Sequence, residues 1–417
     1  MLTMVDDPAI FGAPVRATPS LIARLAHAPA SLKAVMFICL KLRRGLFDMT
    51  LPDGRTLRFG GEAPGPMAKM VVRNPAFARR VLFAGDIGFA DGYVAGEWET
   101  PDLAAVLEII SVNLDVVSRL LKGNPIAAVA NMVRHLSRSN TRAGSRRNIL
   151  AHYDLGNEFY QAWLDPTMTY SSARFDHPGE DLSQAQLNKY RGICECLNLQ
   201  AGDRVLEIGC GWGGFAEVAA GQYGAHVTGL TISDAQHAFA TARMARLGLA
   251  DRVDIQLKDY RDVDGAFDKV ASIEMFEAVG EAYWPDFFAK ISSVLKPGGR
   301  AALQIITIRD ELFAGYRERA DFIQRYIFPG GMLPSVERLR QETARAGLAW
   351  GAMNSFGQSY AATLEQWGER FASRWDEIKT LGFDERFKRL WGFYLSYCEA
   401  GFRSERTNVV QVGLAKS

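Results

Sequence analysis

The second half of the chain alternates between short apolar runs and segments with helical periodicity. From Gln200 onward, the apolar runs predict strands and the segments between them predict helices. This alternation favours an α/β fold, in which a mostly parallel sheet carries helices on both faces. Because ligands of such sheets bind beyond the carboxyl ends of the strands, we expect the functional site there. The predicted strands are RVLEIGC, AHVTGLTI, VDIQLKDY, FDKVASIEMF and RAALQIITI.

The first third of the chain has a different pattern. The segment before Leu46 is helical in periodicity. From Leu46 to Gly61, apolar and polar residues alternate on both sides of the turn pair Asp53-Gly54, which predicts a hairpin. A mixed pattern of strand and helix signals follows. These features predict a small α+β domain at the N-terminus.

Residues 124–150 separate the two patterns. Serine, asparagine and glycine stand between five arginines there, which predicts a basic linker between a domain at 1–123 and a domain at 151–417. A solvated linker is one interpretation. In the other, the arginines contact anionic lipid head groups, each contributing about 1 kcal/mol near such a surface. The five arginines are Arg134, Arg138, Arg142, Arg146 and Arg147.

Composition narrows the class of protein. The chain has 417 residues, of which 48 % are apolar and 23 % charged, which is typical of a globular protein with two or three domains. The formal net charge is only +1, so we expect no nucleic-acid partner. The apolar run Ala34–Leu40 is far shorter than the ~20 residues that span a bilayer. The chain does not open with the pattern of a secretory signal peptide.

The five cysteines are sparse, odd in number and without a histidine cluster, so we expect free thiols and no metal site.

Four glycines follow the first predicted strand of the α/β domain, in the segment VLEIGCGWGGF. Gly209, Gly211, Gly213 and Gly214 allow the backbone to approach a ligand closely. A dinucleotide site would also have such a turn. However, Glu207 is poorly placed beside a pyrophosphate but suits an amino or sulfonium group, and the second strand ends in GLTIS, without the acid that binds a ribose in NAD sites. The pattern therefore favours S-adenosylmethionine (SAM) over a dinucleotide or a turn without a ligand.

Several longer motifs carry a more specific resemblance. HYDLGNEFYQAWLDPTMTYSSARF, GCGWGGF, GLTISDAQ, DYRDV, EMFEAVG, YIFPGGMLPS, SFGQSYAATL and YCEAGFR occur in this order. From Ala151 to the C-terminus, the chain resembles the cyclopropane-fatty-acid synthase family, which includes the mycolic acid cyclopropane synthases. The N-terminal segment GDIGFADGYVAGEW resembles the small lipid-side domain of the bacterial enzymes more loosely. The resemblance implies a class I SAM-dependent methyltransferase with a Rossmann-like, mostly parallel sheet.

The resemblance also implies a reaction. The double bond of an unsaturated acyl chain in a phospholipid attacks the sulfonium methyl group, and the carbocation that results loses a proton. The product is then a cyclopropane, or a methyl- or methylene-branched chain as in the routes to 10-methyl and furan fatty acids. A non-catalytic lipid-binding protein with a SAM fold is an alternative from another class. A methyltransferase for small amines or alcohols fits less well, because such nucleophiles form no carbocation.

The motifs implicate ten residues in SAM binding. By resemblance, Tyr170 and Ser171 cover the methionyl end. The resemblance places Gly209 and Gly211 along the amino-acid and ribose region, and Thr231 and Gln236 at the ribose of the adenosine. It places Tyr260 and Arg261 at the adenine and Ile273 beneath the cofactor. Glu207 completes the set.

Enzymes of this family bind a bicarbonate ion that takes the proton, in a cradle of cysteine, glutamate, histidine, isoleucine and tyrosine. This chain keeps Glu277, Ile306 and Tyr360, but Ser172 replaces the cysteine and Gln304 replaces the histidine. Serine and glutamine can still hydrogen-bond an anion, although neither titrates as an imidazole does. These substitutions leave open whether bicarbonate is bound and whether the product is a ring.

Four further residues complete the predicted site. The aromatic side chains of Tyr153, Phe276 and Phe328 are candidates for contact with the cationic acyl chain, with core packing as the alternative. Cys398 matches a C-terminal family cysteine that is a catalytic candidate, and a structural thiol is the alternative. The expected partners are an unsaturated phospholipid and a second copy of the chain in a homodimer. The expected location is cytoplasmic, peripheral on the inner face of the membrane.

Overall fold

The computed structural model describes residues 13–117 and 155–417, and its contacts divide the chain into two units. The first unit includes two segments from the C-terminal half of the chain, which the local pattern did not predict. The predicted linker and its boundaries at 123 and 150 lie outside the described residues and stay predictions. The first unit comprises Met1–Arg134, Arg319–Arg325 and Gly382–Arg406, and the second comprises His135–Glu318, Tyr326–Leu381 and Thr407–Ser417.

The first unit contains a five-stranded mixed sheet with the strand order β1-β3-β2-β4-β5. The predicted hairpin is confirmed: β2 and β3 are antiparallel, with Leu46 opposite Gly60 and Thr50 opposite Thr56. The strands are β1 (Val15–Arg16), β2 (Arg44–Thr50), β3 (Thr56–Gly60), β4 (Ala63–Val72) and β5 (Trp98–Glu99). The helices of this part of the chain are α1 (Pro19–Ala23), α2 (Ala30–Cys39), α3 (Ala76–Val94), α4 (Leu103–Ser111) and α5 (Leu114–Val117).

The second unit contains a seven-stranded sheet with the order β11-β12-β10-β9-β6-β7-β8. The five predicted strands are confirmed as β6 to β10, and their pairings are all parallel. The last strand, β12, is antiparallel to both of its neighbours. The strands are β6 (Arg204–Ile208), β7 (His226–Thr231), β8 (Val253–Leu257), β9 (Phe267–Ile273), β10 (Leu295–Ile308), β11 (Leu348–Ser355) and β12 (Thr407–Lys416).

Eleven further α-helices follow in the described residues. The helix Glu385–Arg403, and the helix Phe322–Tyr326 up to Arg325, belong to the first unit. Short 3₁₀ helices span Tyr260–Asp262, Phe276–Ala278 and Glu281–Tyr283. The α-helices are α6 (Asn157–Trp163), α7 (Leu182–Leu197), α8 (Gly214–Tyr223), α9 (Asp234–Arg246), α10 (Trp284–Val294), α11 (Asp310–Tyr316), α12 (Phe322–Tyr326), α13 (Val336–Arg345), α14 (Gly357–Ser373), α15 (Trp375–Thr380) and α16 (Glu385–Arg403).

Two apolar clusters pack against the seven-stranded sheet. Leu206 and Ile208 belong to the cluster around α10, whereas Val205 belongs to the cluster around α7 and α8. Because successive side chains of a strand point to opposite faces, the clusters lie on opposite sides of the sheet. The sheet is therefore covered on both faces, as the alternation of strands and helices predicts. In the described part of the chain, no helix is both long and apolar enough to cross a membrane.

Candidate active site

The glycine turn joins the carboxyl end of β6 to the first turn of α8. Gly209, Gly211 and Gly213 have φ angles of +83°, +53° and +86°, a region that side-chain-bearing residues rarely adopt. A Cβ atom on Gly209 would lie 2.8 Å from Cγ of Met275, whereas one on Gly211 would meet no protein atom within 4 Å. The turn is thus packed on one side and open at Gly211, as a site for a ligand requires.

Glu207 lies on β6, directly before this turn, and is only 2 % exposed. Its Oε2 atom has no hydrogen-bond partner among the described residues. Burial raises the pKa of Glu207 to about 8, although the charge of Lys189 opposes the shift. An unpartnered, buried carboxyl oxygen is costly unless a ligand satisfies it, and a cationic group would do so best.

Lys189 is a component of this region that the sequence analysis missed. It lies on α7 with 0 % exposure, and its Nζ donates a hydrogen bond to Oγ of Ser171 at 2.6 Å. Burial lowers the pKa of Lys189, while the carboxylates of Glu274, Asp165 and Glu207 favour its charged form. Lys189 therefore interacts electrostatically with three acidic residues in this region. The sequence carries no signal for this, because a lysine in a helical segment is ordinarily exposed.

Two predicted ribose contacts lie together at the carboxyl end of β7. Oγ1 of Thr231 donates to Oε1 of Gln236 at 2.8 Å and accepts the backbone N–H of Ser233 at 3.1 Å. The Ser233 side chain in turn caps the N-terminus of α9. Thr231 and Gln236 are both buried, and their mutual hydrogen bond fixes both side chains beside the end of the strand.

The predicted adenine contacts follow β8 in a 3₁₀ turn. The Asp259 carboxylate accepts two hydrogen bonds from the Arg261 guanidinium, at 2.9 and 2.6 Å. The ring of Tyr260 packs edge-on against Phe287, with the ring centres 5.5 Å apart. Burial raises the pKa of Tyr260 to about 12, so its hydroxyl group stays protonated at neutral pH. Both side chains are held in place by neighbours at this edge of the sheet.

Glu274 is a second component that the sequence analysis missed. It follows Ile273, the last residue of β9, and its φ angle is +50°. Its Oε1 accepts the backbone N–H of Ser172 at 2.9 Å and Nε2 of Gln304 at 2.7 Å, and its Oε2 accepts the hydroxyl group of Tyr360 at 2.6 Å. Burial raises the pKa of Glu274, and the hydrogen bonds from Tyr360 and Gln304 oppose the shift.

Gln304 owes its position to strand register. It lies opposite Ile273 on β9 and opposite Gln411 on β12. Nε2 of Gln411 donates to Oε1 of Gln304 at 2.9 Å, so the Nε2 group of Gln304 is left to donate to Glu274. Gln411 was not predicted as a site residue. The hydroxyl of Ser172 donates to its neighbour's carbonyl, so its backbone N–H, rather than its side chain, supports Glu274.

Glu277 lies one 3₁₀ turn beyond Glu274. Its Oε1 accepts the backbone N–H of Ile306 at 2.6 Å, which brings these two predicted residues together. Its Oε2 is buried and has no hydrogen-bond partner in the described chain. Burial raises the pKa of Glu277 to about 8, and the nearby charge of Glu274 adds to the shift. Two carboxyl groups thus lie side by side at the end of β9.

The remaining predicted residues lie in different surroundings. Tyr170 is half-buried and packs against Tyr160 and Trp367. Phe276 is 1 % exposed, with its ring between those of Trp284 and Phe287, so it is part of the core.

Phe328 is half-buried beside Gly331. Cys398 lies on α16, which belongs to the first unit, whereas the other site residues described above belong to the second unit. Tyr153 lies outside the described residues.

All five cysteines are described and none forms a disulfide. They are Cys39, Cys194, Cys196, Cys210 and Cys398. In the ranges 13–117 and 155–417, no group of histidine, cysteine and acidic residues is arranged to hold a metal ion.

Replacing Glu277 with glutamine should remove a pH-dependent loss of stability. Because the folded pKa of about 8 exceeds the usual 4.5, the folded protein keeps a proton that the unfolded chain releases. The contribution of this carboxyl group to stability is complete below pH 4.5 and is lost as the pH rises through about 8. We therefore expect the melting temperature of Glu277→Gln to increase relative to that of the wild type as the pH rises from 4.5 to about 8. Melting temperatures of the wild type and Glu277→Gln, measured from pH 4.5 to 8, test this, with the exposed variant Glu318→Gln as control. A difference in melting temperature that does not change with pH would contradict it.

Similarity to known proteins identifies the family in which this arrangement of residues occurs. The mycolic acid cyclopropane synthetase family matches residues 140–412. The chain is 40 % identical to tuberculostearic acid methyltransferase UfaA1 of Mycobacterium tuberculosis, over 84 % of each chain. It is 36 % identical to the cyclopropane-fatty-acyl-phospholipid synthase of Escherichia coli, over 85 % of this chain and 89 % of the relative.

A solved structure supports the same assignment. Mycolic acid cyclopropane synthase CmaA1 complexed with SAH and CTAB is 30 % identical and covers 65 % of this chain and 98 % of its own, with a TM-score of 0.62. The parallel sheet, the open glycine turn and the unpartnered Glu207 oxygen fit a cofactor with a cationic sulfonium and amino group. The chain belongs to the mycolic acid cyclopropane synthetase family, and it is a SAM-dependent methyltransferase with a class I fold.

Proposed function

We propose that this protein transfers a methyl group from SAM to the double bond of an unsaturated acyl chain in a phospholipid. The observation that carries the proposal is the pair of carboxyl groups, Glu274 and Glu277, at the carboxyl end of β9. An alkene that accepts a methyl cation becomes positively charged, and carboxylates fixed in a site of low polarity stabilise such charge well. A transfer to an amine or alcohol forms no carbocation, so a carboxylate there would serve only to accept the proton of the nucleophile.

SAM supplies an electrophilic methyl group when it is bound. In the proposal, the backbone at Gly209 and Gly211 lies against the amino-acid and ribose part of SAM, and Glu207 pairs with its cationic groups. Lys189 holds the Ser171 hydroxyl, which lies beside Tyr170 at the methionyl end. The ribose and adenine are held by residues at the ends of β7 and β8, namely Thr231, Gln236, Tyr260 and Arg261.

A methyl- or methylene-branched product is the second candidate. The Ser172 hydroxyl donates to the Ala173 carbonyl, and the Gln304 amide is engaged by Glu274 and Gln411. In the proposal these residues surround the reacting carbon, so its surroundings differ from the cysteine and histidine of the cyclopropane-forming cradle. Which carbon loses the proton depends on where the base lies, so a changed cradle favours a changed product.

Lipid analysis tests the proposed function. We expect vesicles of unsaturated phospholipid, incubated with the protein and isotopically labelled SAM, to gain one labelled carbon in the acyl chain by mass spectrometry. Saturated phospholipid should gain none, because it offers no π electrons. Proton NMR of the product then distinguishes a ring from a branched alkene. Label that appears only in water-soluble amines or alcohols would contradict the proposal.

Membrane contact is part of the proposal, because the substrate is a bilayer lipid. We propose peripheral binding through the N-terminal domain and through the arginines between 134 and 147, which lie outside the described residues and would contact anionic head groups. We also propose that the protein assembles as a homodimer. Binding to anionic vesicles should weaken as salt rises, since charge contacts are screened over about 10 Å at 0.1 M salt. Vesicle co-sedimentation measures this. Equal binding to neutral and anionic vesicles at all salt concentrations would contradict it.

A further inference from the structure

Three hydrogen-bond donors converge on one carboxylate at the centre of the candidate site. The backbone N–H of Ser172, the side-chain amide of Gln304 and the hydroxyl of Tyr360 all donate to Glu274, at 2.9, 2.7 and 2.6 Å. These donors come from the segment before α7, from β10 and from α14. Elements distant in sequence therefore meet around a single anionic group.

The same three residues were assigned, by resemblance, to a cradle for free bicarbonate. In this protein they surround an anion that belongs to the chain itself. The other two of the five predicted cradle residues, Ile306 and Glu277, are hydrogen-bonded to each other. We propose that the carboxylate of Glu274 takes the place of bicarbonate and is the base that removes the proton from the methylated acyl chain.

Glu274 has an unfavourable backbone conformation that surrounding hydrogen bonds maintain. Its φ angle of +50° lies in the left-handed region, which is unfavourable for a residue with a side chain. The backbone N–H of Glu274 donates to the carbonyl of Gln304 at 2.9 Å, so the same residue fixes both its backbone and its side chain. Such conformations persist where surrounding contacts enforce them, and they cluster at functional sites.

The hydrogen bonds leave the carboxylate able to accept a proton. A carboxylate offers about four acceptor positions, and the three donors occupy two on Oε1 and one on Oε2. The remaining position on Oε2 has no donor among the described residues, and in the proposal it receives the proton of the substrate. Burial raises the pKa of Glu274 above that of an exposed glutamate, although its hydrogen bonds oppose the shift. A carboxylate is still only a modest base, which suffices because a proton next to a carbocation is very acidic. The buried charge of Lys189 favours the ionised form of Glu274.

The step balances in atoms and electrons. The π electrons of the alkene form the bond to the methyl carbon, and the carbon–sulfur electron pair leaves with the sulfide. The acyl chain then carries one positive charge. Oε2 of Glu274 takes a proton from it, and the electrons of that C–H bond form either the last ring bond or a new double bond. Glu274 later returns the proton to water, and no other reactant is needed.

Replacing Glu274 with glycine tests the inference, which rests on the proposed function. Glycine suits φ = +50°, so we expect Glu274→Gly to remain folded and to bind SAM with near wild-type affinity by calorimetry. Turnover on unsaturated phospholipid should fall about 100-fold or more, as for loss of a general base. Added bicarbonate should raise the turnover of Glu274→Gly about tenfold, because the three donors remain to bind the ion. Calorimetric titration with bicarbonate alone should detect binding to Glu274→Gly and not to the wild type.

The wild type and two further variants, Glu318→Gly and Glu274→Gln, make the outcome decisive. The wild type should be equally active in bicarbonate-depleted and bicarbonate-supplemented buffer. Glu318→Gly, at an exposed site, should behave as the wild type. Glu274→Gln should lose turnover without rescue, because the side chain still fills the cradle. Bicarbonate dependence of the wild type, or full turnover of Glu274→Gln, would overturn the inference. If the wild type methylates no unsaturated lipid under any condition, the proposed function itself fails.

Discussion

Replacing Gly211 with valine should abolish SAM binding while the protein stays folded. Gly211 has a φ angle of +53°, and a Cβ atom there would meet no protein atom within 4 Å. The added side chain would therefore project into the open side of the turn, where we propose that the cofactor lies. We expect SAM affinity to fall about 100-fold or more, which corresponds to about 2.8 kcal/mol. Isothermal titration calorimetry measures it.

Gly248→Val is the matched control for the backbone. Gly248 is exposed after α9, has a φ angle of +68°, and a Cβ atom added to it would likewise meet no protein atom within 4 Å. Both variants therefore bear the cost of a side chain in the left-handed region, and their melting temperatures should fall by similar amounts. Only Gly211→Val should lose affinity for SAM. Unchanged affinity in folded Gly211→Val would remove the glycine turn from the cofactor site.

Replacing Glu277 with glutamine should reduce turnover about 100-fold and leave SAM affinity within about twofold. Glutamine keeps the size of the side chain and an oxygen for the N–H of Ile306. It loses the negative charge that the unpartnered Oε2 offers to a positively charged acyl chain. Burial keeps Glu277 protonated at neutral pH in the absence of a cation, so a cationic ligand nearby is what favours its ionised form.

Turnover on unsaturated phospholipid and calorimetry with SAM separate the two effects of Glu277→Gln. The exposed Glu318→Gln variant should retain both wild-type values. Bicarbonate should not rescue Glu277→Gln, in contrast to Glu274→Gly, because the glutamine leaves no space for the ion. A turnover close to that of the wild type would show that the charge of Glu277 does not act on the substrate.

Local sequence patterns predicted much of the second unit. Strand-length apolar runs that alternate with helical segments specify a parallel sheet, because each βα pair must bury its apolar face against its neighbours. The glycine turn and Glu207 were also readable, since they are adjacent in sequence at the end of one strand. The motifs that carry the family resemblance located Thr231, Gln236 and Glu277 near the strand ends where the structure has them.

Other features depend on residues that are distant in sequence. Gln411 reaches Gln304 because β12 inserts between β10 and β11, and Lys189 interacts electrostatically with three acidic residues because α7 packs beside the sheet. Nothing in the local pattern around Glu274 distinguishes it from a surface glutamate. The sequence by itself determined the order of β6 to β10 with the helices between them and the place of the glycine turn, since these follow from local periodicity and backbone freedom. Only the tertiary structure decided which side chains share the site, because burial and hydrogen bonding between distant elements bring them together.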